Sequence, residues 1–72
     1  MYKVYGKPDC PQCVQAIQAL SVKNEDFEYY CLTDMPEMVD KFKGMGIRQV
    51  PVVYKGDDLV GGFRELKKDL AQ

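Results

Sequence analysis

Cys10 and Cys13 stand two residues apart, with Pro11 and Gln12 between them, and this C-x-x-C spacing is the arrangement in the 72-residue chain best suited to chemistry. A short apolar stretch with strand character, Tyr2 to Tyr5, leads into it, and a helical pattern follows at once. In that strand-to-helix context a dithiol is built to exchange with other disulfides. The first backbone N–H groups of a helix lack intrahelical partners and carry partial positive charge. A thiolate on Cys10 would lie against them, which predicts a pKa below the free-thiol value of about 8.5, in the range of roughly 3.5–7.5. Pro11 suits the first helical position, where its missing N–H costs nothing. Cys10 is thus expected to be the exposed nucleophile, and Cys13 its resolving partner one turn along.

Other uses of such a pair fit the composition less well. A structural zinc site needs four ligands, and the chain has no histidine and only one further thiol, Cys31. A copper chaperone also carries an early C-x-x-C, but on a βαββαβ chain without a Val50-Pro51 segment. No metal or cofactor is therefore expected. Cys31 is expected to pack as a small hydrophobe on the second strand. Lys7, a cation close to Cys10, would favour its thiolate.

The elements that must position this dithiol follow from hydrophobic patterning. Tyr2, Val4 and Tyr5 give a first strand, stopped at Gly6-Lys7-Pro8. Cys13, Ala16, Ile17 and Leu20 recur at helical spacing, with Gln12, Gln15 and Gln18 on the wet face, and Asn24-Glu25-Asp26 ends the helix. Phe27–Leu32 reads as a second strand. Asp34 and Glu37 resemble a capping pattern for a helix carrying Met38, Phe42 and Met45 and closing on Gly44 or Gly46. Val50–Tyr54 gives a third strand, Gly56-Asp57 a hairpin turn, and Leu59-Val60 a short fourth strand. Phe63, Leu66 and Leu70 mark a last amphipathic helix. The order βαβαββα predicts an α/β fold over residues 1–72 as one domain, with a four-stranded mixed sheet and three helices on its two faces. This is the minimal thioredoxin-like architecture.

Composition bounds the partners. Ten basic residues against eleven acidic ones give no electrostatic reason for nucleic acid or an anionic membrane. No apolar run approaches the roughly 18 residues of a membrane span. The reactive pair lies where a signal peptide's apolar segment would fall, and an odd cysteine count suits a stapled secreted scaffold poorly. A monomer in a reducing cytoplasm is expected.

The residues also resemble the glutaredoxin group of the thioredoxin superfamily along the whole chain. Gly6-Lys7-Pro8-Asp9-Cys10-Pro11-Gln12-Cys13 is similar to its active-site segment, in which a lysine precedes C-P-x-C. Arg48-Gln49-Val50-Pro51 stands where that family carries T-V-P, and Gly61-Gly62 where it has a double glycine. Gln12 within the dithiol, Gly46–Val53 and Gly62-Phe63-Arg64 bring the chain nearest to the NrdH-type redoxins, although their S-G-F-R-P reads Gly61-Gly62-Phe63-Arg64-Glu65 here. The resemblance implies a thiol–disulfide oxidoreductase with a cis Pro51 beside the dithiol. It also implies thioredoxin reductase as electron donor and ribonucleotide reductase as target. Lys7, Pro11, Gln12, Val50, Pro51, Gly61, Gly62, Phe63 and Arg64 would line the partner groove. Glutaredoxins hold glutathione's charged end with an aspartate shortly after the double glycine, where this chain has Phe63-Arg64-Glu65 and, further on, Asp69. Lys7, Pro11 and Gly61-Gly62 remain compatible with glutathione. Two alternatives therefore stay open: a glutathione-dependent glutaredoxin, and an iron–sulfur or metal carrier using Cys10.

Overall fold

The computed structural model describes residues 1–71. Its first strand, β1 (Tyr2–Gly6), leads through a short turn into helix α1 (Pro11–Val22), and β2 (Phe27–Cys31) returns beside β1. A 3₁₀ turn (Leu32–Asp34) and helix α2 (Pro36–Gly44) cross to the hairpin of β3 (Val52–Lys55) and β4 (Asp58–Gly61), and α3 (Phe63–Leu70) closes the fold. The sheet order is β2-β1-β3-β4. β1 and β2 are parallel, with Val4 opposite Tyr29, whereas β3 is antiparallel to both β1 and β4. The mixed four-stranded sheet and three helices are those expected from the sequence.

Alternation along β1 fills both faces of the sheet. Tyr2 and Val4 join Val53, Ala16 and Leu20 of α1 and Leu66 of α3 in one core, with Phe27, Val60, Phe63 and Leu70 packed around it. On the opposite face Leu32, Phe42 and Val52 form a second, smaller core under α2, flanked by Tyr5, Met38, Val39, Ile47, Val50 and Tyr54. Tyr5 organises that face: its ring stacks on Tyr30 at 5.1 Å between centroids and meets Phe42 edge-on at 5.3 Å. The stripe of α1 is buried at Cys13, Ala16 and Leu20, while Ile17 is half-buried.

Several boundaries differ from the sequence reading, each for a local reason. Helix α2 begins at Pro36 with Met35 as its N-cap, and no side chain caps it. Asp34 is taken up by the 3₁₀ turn, and a residue before proline is driven out of helical geometry, as Met35 is at φ −135° and ψ 65°. Met45 follows the last turn of α2 and is 47% exposed rather than core. β3 begins at Val52, because Pro51 has no N–H to give a ladder. Cys31 is half-buried and belongs to neither core, since it ends β2 at an edge of the sheet.

The two ends of the chain are tied together at the side of the sheet opposite Gly6. The Tyr2 hydroxyl donates to Asp69 Oδ2 on α3, and Lys55 Nζ lies 3.8 Å from the same oxygen. Burial, followed by the Asp69 carboxylate, pushes the Tyr2 phenol up to about 12 from its usual value near 10. The folded state therefore holds the Tyr2 proton more tightly than the unfolded chain does. That stabilisation is fully present below pH 10 and is lost as pH rises from 10 to 12. Tyr2→Phe should cost about 1 kcal/mol at neutral pH. It should also make the fall in denaturation midpoint between pH 10 and 12 shallower than in the parent, as denaturant titrations across that range would reveal.

Candidate active site

The turn between β1 and α1 sets the dithiol. Asp9 takes a left-handed backbone at φ 60°, a conformation that aspartate tolerates better than most residues, and it delivers Cys10 to the N-cap of α1. Pro11 follows at the first helical position, as its fixed φ and missing donor favour. The Cys10 carbonyl accepts the first helical bond, from Val14 N at 3.2 Å. The Cys10 Sγ accepts from Cys13 N at 3.2 Å, so the sulfur itself performs the capping that serine or aspartate commonly provides. Negative charge on that sulfur would meet an N–H dipole and the positive end of α1.

Cys13 has a different environment. It is 2% exposed, against the half-buried Cys10. Its Sγ packs on the backbone of Gly6, where an added Cβ would lie 2.7 Å from the sulfur and 3.2 Å from the Tyr29 ring. Only glycine fits there, a requirement that the sequence reading of Gly6 as a strand stop did not reach. Burial first, and then the hydrogen bond to Cys10, push the Cys13 thiol up to about 11 from 9, partly opposed by the Lys7 backbone. At neutral pH Cys13 is a protonated reserve beneath an accessible Cys10.

Beside the dithiol lies the Val50–Pro51 bond, which is cis, with Pro51 fully buried. Three adjoining grooves meet in this region. The first, about 360 Å³, runs toward α2 and includes Lys7, Val50, Ile47, Lys43 and Arg48. The second, about 330 Å³, includes Pro51, Gly61 and Gly62. The third, about 420 Å³, runs toward α3 and includes Gln12, Gly62, Phe63 and Arg64. The residues singled out from the sequence are thus brought to one end of the sheet, although Cys10, Pro11 and Cys13 line none of the three. Gln49, not singled out, lines all three, and Arg48, Lys43 and Glu65 were also missed. The signal for Gln49 and Arg48 was their place directly before Val50-Pro51.

The double glycine has a specific use. Gly61 has φ +127°, and a Cβ on it would strike the Glu65 side chain at 2.8 Å. That room lets Glu65 fold back so that Gly62 N donates to its Oε1 at 2.8 Å, capping α3. Asp69 is engaged with Tyr2 and Lys55 at the other end of α3. Among the described residues no group of three or more His, Cys, Asp or Glu side chains is placed to hold a metal ion, and no helix is long and apolar enough to cross a membrane.

Comparison with known proteins agrees with this geometry. The glutaredoxin family model matches residues 3–60. The chain is 36% identical over 61 residues to the glutaredoxin-like protein NrdH of Escherichia coli, spanning 85% of this chain and 75% of that one. It is 38% identical over 64 residues to the NrdH protein of Lactococcus lactis, spanning 89% of both. The solved structure of the Escherichia coli NrdH-redoxin superposes with a TM-score of 0.82 at 32% identity, covering 93% of this chain and 91% of that one. A dithiol at the N-cap of α1, on this sheet and with these relatives, gives the conclusion that the chain belongs to the glutaredoxin family of thiol–disulfide oxidoreductases, among its glutaredoxin-like NrdH members.

Proposed function

We propose that this single-domain protein is a cytoplasmic, monomeric reductant of protein disulfides that serves ribonucleotide reductase and draws its electrons from thioredoxin reductase. The observation that carries the chemistry is the contrast between the two sulfurs. Cys10 is accessible at a helix start, and Cys13 is buried beneath it with its thiol raised to about 11. Cys10 thiolate attacks one sulfur of the target disulfide, and the other sulfur leaves as a thiolate. Cys13 then gives up its proton and attacks Cys10 Sγ. The target's second cysteine departs reduced, and two electrons have passed from the dithiol to the target, leaving a Cys10–Cys13 disulfide. Lys7, Gln12, Val50 and Pro51 form one side of the partner groove, and Gly61, Gly62, Phe63 and Arg64 the other, with Pro11 exposed at the rim of the dithiol.

Support for the donor comes from what the α3 end of the site lacks. Arg64 is exposed where glutathione-users offer a carboxylate, and Glu65 beside it is turned back so that its Oε1 accepts from Gly62 N. The ammonium end of glutathione thus loses a charged partner. Such a hydrogen bond contributes about 1.5–3 kcal/mol, equivalent to roughly a ten- to hundredfold weakening. The Escherichia coli NrdH-redoxin, which this chain resembles, is a glutaredoxin-like protein with a thioredoxin-like activity profile.

Two measurements test this reading. Cys13→Ser should accumulate a mixed disulfide through Cys10, whereas Cys10→Ser should not; mass mapping that finds the adduct on Cys13 or Cys31 would overturn the assignment. NADPH oxidation can be followed with oxidised ribonucleotide reductase as the disulfide substrate. Thioredoxin reductase should support faster turnover than glutathione with glutathione reductase, because the lost hydrogen bond weakens glutathione binding by about tenfold or more. Arg64→Asp should shift activity toward glutathione. Faster turnover with the glutathione system in the parent protein would return it to the glutathione-dependent glutaredoxins.

A further inference from the structure

The chain carries nearly balanced charge overall, yet the charge is unevenly placed. The grooves flanking the dithiol contain five cations: Lys7, Lys43 and Arg48 on the α2 side, and Arg64 and Lys67 on the α3 side. One carboxylate, Glu65, lines them, and its Oε1 is already bonded to Gly62 N. Asp9 precedes Cys10, and Asp34, Glu37 and Asp40 lie on the 3₁₀ turn and α2, but none of the four lines any of the three grooves. Asp57 and Asp58 lie in the β3–β4 hairpin and Asp26 at the start of β2, the end of the sheet remote from Gly6 and Gly61. Asp69 is held at that same end by Tyr2. Gln49 lines both cationic grooves and bridges them, so one extended segment crossing the dithiol would pass cations before and after its disulfide.

Resting on the exchange reaction proposed above, we infer that the partner segment is an extended polypeptide whose cystine is flanked on both sides by aspartate or glutamate. Individual surface ion pairs contribute little. Several cations focused on one groove act together, raising the local concentration and association rate of an anionic partner by tenfold or more at low salt. Glutathione disulfide carries carboxylates on both its arms, but an ammonium on each offsets part of that charge, so an acidic segment gains more from the two cationic grooves. At the remote end Asp26, Asp57 and Asp58 outnumber Lys55, whose ammonium is shared with Asp69, so an acidic segment gains less there than along the grooves.

The test is a single-turnover reaction, in which the reduced protein itself supplies both electrons. Reduced protein is mixed with synthetic peptides carrying an intramolecular Cys-x-x-Cys disulfide flanked on each side by two Glu, two Gln or two Lys residues. Acid quenching and chromatography read the rate, and glutathione disulfide and hydroxyethyl disulfide run in parallel. At low salt the Glu peptide should react about tenfold faster than the Lys peptide. It should also react faster than glutathione disulfide, and its advantage should shrink in about 1 M salt, where screening acts over roughly 3 Å. Arg48→Glu combined with Arg64→Glu, both at exposed positions, should reverse the order of the Glu and Lys peptides. Asp57→Lys with Asp58→Lys, at the remote end, should leave that order intact. Equal rates for the three peptides, a preference untouched by the Arg48/Arg64 reversal, or glutathione disulfide reacting as fast as the Glu peptide would each overturn the inference while the exchange reaction stands. Failure to reduce hydroxyethyl disulfide as well would overturn the exchange reaction together with it.

Discussion

The contact between Cys13 Sγ and the backbone of Gly6 is the constraint on which the rest of the site depends. It lets the first turn of α1 settle directly on the end of β1, with no Cβ between them. Cys13 is thereby sealed from water, and its thiol is raised. Cys10, three residues earlier, is left at the helix start facing outward, with Cys13 N–H on its sulfur. One close approach thus separates two chemically identical side chains into an accessible sulfur and a protected one. The core supports the arrangement from below: Ala16 and Leu20, on the same stripe as Cys13, are fully buried against β1, β3 and α3.

At the other wall the double glycine settles a competition for one carboxylate. Every helix start has unsatisfied N–H groups, and α3 has no side chain at its N-cap because that residue is Gly62. Glu65 takes over that task by folding back through space that Gly61 leaves empty. The carboxylate nearest the groove therefore gives one oxygen to the protein's own backbone, and the exposed Arg64 stands beside it. Capping chemistry inside α3 and the charge offered to a partner are one decision. The same economy appears at the far end of α3, where Asp69 is held by Tyr2 and Lys55.

Much of this was legible in the sequence because it rests on local rules. The C-x-x-C spacing with proline at the second position fixes a helix start and the relation of its two sulfurs. The alternation of Tyr2, Val4 and Tyr5, the i, i+3, i+7 stripe from Cys13 and the Val50–Tyr54 run set the number, type and order of elements. Local rules erred where two of them competed. Asp34 has the chemistry of a cap, but Pro36 occupies the first helical position and hands the cap to Met35. Met45 continues the helical spacing of Met38 and Phe42, yet the helix ends one residue before it, so it turns to solvent.

What the sequence by itself determined, then, was the fold and the placing of two sulfurs one turn apart at a helix start, since both follow from periodicity and spacing within a dozen residues. Only the tertiary structure decided the environment of that pair. The need for glycine at position 6 arises from a sulfur seven residues away on another element. The meeting of Gln49 with grooves on both sides arises from a loop crossing between α2 and β3. The gathering of Lys7, Lys43, Arg48, Arg64 and Lys67 along the grooves, with Glu65 the one carboxylate lining them, is invisible in a nearly neutral composition. Burial, close approach and field depend on which distant residues share a volume, and a linear pattern carries no distances between its elements.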